Sequence, residues 1–125
     1  MEFNIELYKG RTVIIRQTAE QIIRDFGRFG IEITFSGNTD MAYQELFQQL
    51  DRNITHLIED DFGRLYALLY QIDLNESSII SKKREFPQHT DSEILTELII
   101  DRELKKVLTR NYFKAQKDQH SSESQ

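Results

Sequence analysis

Between Tyr43 and Ile72 the apolar residues Tyr43, Leu46, Phe47, Leu50, Ile54, Leu57, Ile58, Leu65, Tyr66, Leu68, Leu69 and Ile72 recur mostly at spacings of three and four. That period belongs to a helix with one buried face, and it predicts two helices broken around Asp60, Asp61 and Gly63. Asn38, Thr39 and Asp40 supply N-cap oxygens for the first of them, and Glu59-Asp60-Asp61 suits the positive end of the second. Ile15, Ala19, Ile22, Ile23, Phe26 and Phe29 predict an earlier helix from about Thr12 to Arg28, stopped by Gly27 and Gly30.

Two short runs follow period two instead. Phe3, Ile5 and Leu7 alternate with polar residues ahead of Gly10, Val13 and Ile15, which fits a strand or a short hairpin in competition with a helix. Ile31, Ile33 and Phe35 alternate between Gly30 and Gly37 and read as one strand.

Further along, Asp73-Leu74-Asn75-Glu76 has the spacing of a capping box and opens a short helix through Ile79 and Ile80, closed by Lys82-Lys83-Arg84 and Pro87. A second box, Thr90-Asp91-Ser92-Glu93, opens the last helix, which carries Ile94, Leu98, Ile100, Leu104, Val107 and Leu108 as far as Lys114. The expected fold is mainly α: an antiparallel bundle of about four helices, with a small β element in the N-terminal 40 residues. Residues 1–114 form the helical domain, and the apolar-poor segment 115–125 is expected to be a disordered polar tail.

Composition narrows the function classes. A chain of 125 residues suffices for one core without staples, and the absence of cysteine removes disulfides, thiolate nucleophiles and cysteine-based metal sites. Sixteen basic and twenty-one acidic side chains give a formal charge of −5, spread along the chain rather than blocked. This argues against a nucleic-acid surface. An acidic start, Met1-Glu2-Phe3-Asn4-Ile5-Glu6, is unlike a signal peptide, and no stretch reaches the ~18 apolar residues of a membrane span, so a cytoplasmic protein is expected.

Candidate chemistry is sparse. Asp-Phe-Gly occurs twice, at Asp25-Phe26-Gly27 and Asp61-Phe62-Gly63, each followed by arginine, but the phosphate loop and catalytic loop of a kinase are missing. Both phenylalanines read as core anchors. His56, Glu59 and Asp60 lie three and four apart on one helical surface, without the Glu-x-x-His pairs of a di-iron bundle. Glu59, Asp60, Asp61, Asp73 and Glu76 would offer oxygen ligands to a hard cation if the helices joined near Gly63 folded back on each other. Arg102, Lys106, Arg110 and Lys114 form an i+4 basic row, with Glu93, Glu97, Asp101 and Glu103 on the same helix. No cofactor-binding motif is present: the chain has neither Gly-x-Gly-x-x-Gly nor a Walker loop nor a nucleophile elbow.

The segments from Asp61 to Asp73 and from Leu98 to Arg110 resemble the paired helical segments of small uncharacterised bacterial proteins. The resemblance implies a helical module and transfers no site residue. Ile14, Ile79, Ile80, Ile99, Tyr112 and Phe113 are surplus to single helix faces and suit a contact surface. The expected function is therefore a non-enzymatic protein–protein interaction or scaffold module, self-association as a homodimer included. The alternatives are a metal-dependent hydrolase using the acids and nucleic-acid binding through Arg102, Lys106 and Arg110.

Overall fold

The computed structural model describes residues 5–123, and the side chains of 10–118. Its elements run α1 (Ile5–Gly27), a 3-10 turn (Thr39–Met41), α2 (Ala42–Asp60), α3 (Phe62–Ile72), α4 (Glu76–Glu85) and α5 (Asp91–Glu123). The mainly helical expectation holds, and the β element does not.

Helix α1 takes in the ground assigned to an N-terminal strand from Ile5 onward; residues 1–4 lie outside the described range. It ends where glycine allows. Gly30 adopts a φ of 75°, while Ile31 N donates to Phe26 O at 3.1 Å and Gly30 N to Gly27 O at 3.0 Å. These are the two bonds of a Schellman end, and Ile31 and Phe26 supply its apolar contact within the core.

Residues 31–36 are extended without being a strand, and no strand occurs among the described residues. The alternation itself is real: Ile31 and Ile33 are buried, and Glu32 and Thr34 are exposed. What is missing is a partner, because the residues that would have paired with it belong to α1. Side chains of α2 replace the ladder. Gln49 accepts from Thr34 N at 2.9 Å and donates to Thr34 O at 2.8 Å, and Glu45 accepts from Ser36 N at 2.6 Å. Backbone polar groups need some such partner, and here two i+4 residues of one helix provide it.

The polar residues predicted the caps in part: Asn38 caps the 3-10 turn, accepting from Asp40 N at 3.1 Å, and α2 itself starts after Met41 without a side-chain cap. Thr90 and Glu93 form a complete reciprocal box, Glu93 N to Thr90 Oγ1 at 3.1 Å and Thr90 N to Glu93 Oε1 at 2.9 Å. Asp61 caps α3 by accepting from Arg64 N at 3.1 Å. The box expected at Asp73 is displaced: Asn75 caps α4, accepting from Ser77 N at 2.8 Å, and Asp73 instead ends α3 with a φ of 64°.

Helix α5 is the hub. Asp73 reaches Arg102 and Lys83 reaches Asp91, so α4 runs antiparallel to its first half. Ser92 bonds Asp51 O and Thr55 of α2, both at 2.9 Å. In its second half Asn111 bonds Gln17 and Arg110 bonds Gln21, so α1 also runs antiparallel to it. The core between them is filled by Ile22 and Phe26 of α1, Leu50 and Ile54 of α2, Leu65, Leu68 and Ile72 of α3, and Ile99 of α5. Helix α4 buries no residue fully and leans on the core through Ile79.

Beyond this core α1 and α5 both extend, and Asn111 is bonded to Gln17 where they leave it. From 10 to 17 no residue is buried, and every residue of 112–118 is exposed. The segment expected as a polar tail from 115 is helical as far as Glu123. Loss of apolar residues there marks loss of burial, not of helix: Ala115, Gln116 and Lys117 are good helix formers, and no glycine or proline interrupts them.

Candidate functional site

Helix α3 carries more apolar residues than one face can hold. Leu65, Leu68 and Ile72 take the core side. Phe62, Tyr66 and Tyr70, at i, i+4 and i+8, then fall in a single row on the solvent-facing flank, exposed to 64%, 62% and 82%. Gly63 and Ala67, both exposed, lie beside the rings and leave room for close approach. Phe62 also lines a groove of about 200 Å³ whose floor is Leu65, Leu69, Ile79, Ile94 and Leu95. Lys83 and Asp91 cross its rim as an ion pair of 2.9 Å. Scattered single apolar residues are ordinary on a protein surface, whereas three aligned rings continuous with an apolar groove form a patch.

The sequence-derived acids are divided. Glu59 and Asp60 are brought together with His56 at the end of α2, their ligand atoms within 4.8 Å of one another and all three exposed. Asp61 is engaged with Arg64, whose Nε lies 3.3 Å from Oδ2. Asp73 accepts from Arg102 at 3.3 Å, and Glu76 sits in the first turn of α4. Asp61 and Asp73 flank the two ends of α3, roughly 18 Å apart at 1.5 Å per residue, so the five acids do not converge.

The basic row is likewise tied inward. Arg102 bonds the Asp73 carbonyl and carboxylate, Lys106 Nζ lies 3.1 Å from Glu103 Oε1, and Arg110 donates to Gln21 Oε1 at 3.0 Å. Arg110 and Lys114 are exposed, and Lys114 makes no ion pair with a described residue. Of the surplus apolar residues, Ile99 is buried, Ile14 and Ile79 are half-buried, and Ile80, Tyr112 and Phe113 are exposed. The two Asp-Phe-Gly copies part company: Phe26 is a core anchor, and Phe62 is on the surface.

One polar centre is absent from the sequence-derived candidates. Asp25 of α1 and Glu103 of α5 face each other in the helix interface, with Lys106 and Arg28 as neighbouring cations. Burial pushes the Glu103 carboxyl up to about 8, reinforced by the adjacent Asp25 and partly offset by Lys106. Glu103 is therefore protonated at neutral pH and can donate to Asp25, which also accepts from Gln21 Nε2 at 3.1 Å. The pair is enclosed between the two helices, where neither Glu103 oxygen has a hydrogen-bond partner while the carboxyl is ionised. A signal for it existed: Glu103 stands midway between Ile99 and Val107 at i+4 spacing, on the buried stripe.

Comparison with protein families, with curated proteins and with solved structures finds no match to this chain.

Proposed function

We propose that the chain is a non-enzymatic protein–protein interaction module, and that its recognition surface is the aromatic row of α3. The observation that carries this reading is the alignment of Phe62, Tyr66 and Tyr70 on the solvent side of a helix whose other side is in the core. Exposed aromatic rings cost hydration free energy in an isolated molecule and are the residues from which the energetic centres of interfaces are built. Glu59 and Asp60, exposed and without an ion pair to a described residue, border the start of the row, whereas Asp61 and Asp73 are paired with Arg64 and Arg102; the two free acids favour a partner with basic residues beside an apolar centre.

The test is hydroxyl-radical footprinting of the tyrosines in a cell that makes the protein, against the dilute isolated chain. This reading expects Tyr66 and Tyr70 to be protected in the cell and reactive in isolation, and equal reactivity in both would reject it.

A second reading, divalent-metal hydrolysis, draws on His56, Glu59 and Asp60, which present an imidazole and two carboxylates within 4.8 Å. Calorimetric titration with magnesium or manganese tests it: it expects binding that His56→Ala and Glu59→Ala abolish, and silence would end it.

A further inference from the structure

Folding separates charge that the linear sequence mixes. Residues 22–104 carry eight basic and sixteen acidic side chains, whereas the two paired segments 10–21 and 105–118 carry seven basic and two acidic. The outer parts of α1 and α5 are thus basic where the bundle is acidic, and the exposed outer part of α5 forms an arm. Arg11, Arg16, Lys114 and Lys117 are all exposed and make no ion pair with a described residue. The arm's outer surface is also apolar, with Tyr112 and Phe113 exposed to 61% and 64% and packed edge to face at 5.6 Å, and Leu108 one turn before them.

The arm therefore has the chemistry that the α3 face asks of a partner. We infer that the chain forms a reciprocal dimer in which the arm of each copy lies along the Phe62–Tyr66–Tyr70 row of the other. This rests on the reading of α3 as a recognition surface and names its occupant. Lengths agree: the aromatic row spans roughly 12 Å, and the exposed arm from 108 to 118 roughly 15 Å, at 1.5 Å per residue. Areas decide in favour of reciprocity. Five rings, each about two-thirds exposed and worth about 150–250 Å² in full, bring roughly 700 Å² to one arm-on-face contact. That is short of the ~1,200 Å² of a specific interface, and two such contacts reach it. A two-fold arrangement supplies both and closes, where a single head-to-tail contact would propagate.

Sedimentation velocity of the full chain tests this, with helicity by circular dichroism confirming that each variant folds; all substituted residues are exposed. The wild type sediments as a dimer at roughly micromolar concentration in low salt and shifts toward monomer by ~0.5 M salt, because opposite charges meet across the contact. Tyr112→Ser with Phe113→Ser is monomeric, and so is Phe62→Ser with Tyr66→Ser and Tyr70→Ser. Mixing these two monomeric variants restores a weaker dimer through one intact arm-on-face contact.

Three results overturn the proposal. A dimer lost in the arm variant but kept in the face variant means that arms pair with arms. A monomeric wild type whose arm shifts a nucleic acid in a gel makes nucleic acid the occupant. A monomeric wild type up to ~200 µM rejects a second copy, and the footprint then separates the two claims: protected Tyr66 and Tyr70 leave the recognition surface standing with a foreign partner, and reactive rings remove both.

Discussion

Asp25 and Glu103 place two carboxyl groups against each other inside the α1–α5 interface, with 2% and 0% of the residues exposed. Two buried anions at such a site would repel and remain poorly solvated, so one proton on Glu103 converts the contact into a bond between the helices.

The first prediction concerns pH. With the Glu103 carboxyl near 8 in the folded chain and near 4.5 when exposed, the native state holds the extra proton between those values. Its contribution to stability is complete below about 4.5 and declines as pH rises toward 8, because the native state binds more protons than the unfolded one. Glu103→Gln keeps a neutral donor facing Asp25 and cannot ionise. Urea unfolding should show its stability staying flatter across this window and exceeding the wild type at pH 8 by on the order of 3 kcal/mol.

The twin Asp-Phe-Gly tripeptides give a second prediction. Phe26→Ala empties a fully buried site and should cost about 3–5 kcal/mol. Phe62→Ala removes a ring that is mostly in solvent and should change the stability of the isolated chain by less than about 0.5 kcal/mol. Chemical denaturation of the two variants side by side measures the contrast.

A third prediction addresses the extended segment 31–36. Gln49→Ala removes both the donor and the acceptor that serve Thr34, at 2.8 and 2.9 Å. Water can replace them at this exposed position, so the loss should be about 1 kcal/mol. Native-state hydrogen exchange should show the Thr34 amide accelerating far more than the Ile54 amide in the middle of α2, which follows global stability alone.

Asp73 supplies a fourth. It occupies a left-handed conformation at a φ of 64° and pairs with Arg102 at 3.3 Å across an exposed gap. Glycine relieves about 1 kcal/mol of backbone strain there and gives up a surface pair worth less than that, so Asp73→Gly should be neutral or slightly stabilising. Valine at the same position should destabilise by more than ~1 kcal/mol, because its branched Cβ opposes this conformation. Thermal unfolding of both variants shows whether backbone strain outweighs charge pairing at this turn.

These sites show where local chemistry was readable. The Thr90–Glu93 box and the Gly30 stop were legible because a cap needs only residues close in sequence. The aromatic row was not: α3 has apolar side chains on two faces, and spacing of three and four fits both, so periodicity alone groups Tyr66 with the core. Packing of Leu65, Leu68 and Ile72 against the other helices selects between the faces, and that is a tertiary fact. The single strand failed for a related reason, since alternation records which side chains are buried and not whether a second strand exists. Charge segregation was half legible: the basic row of the last helix stands in the sequence, but that Arg11 and Arg16 of α1 belong to the same basic end of the molecule is set by the packing of α1 on α5.

The most direct measurement of the central claim is photo-crosslinking from a benzophenone side chain placed at Tyr66, with exposed Arg52 of α2 as the control position. The account predicts a protein adduct from Tyr66 in cells that make the chain, absent from the control, and lost when Phe62 and Tyr70 are replaced by serine. A Tyr66 probe that captures no protein beyond what the Arg52 position captures would contradict it.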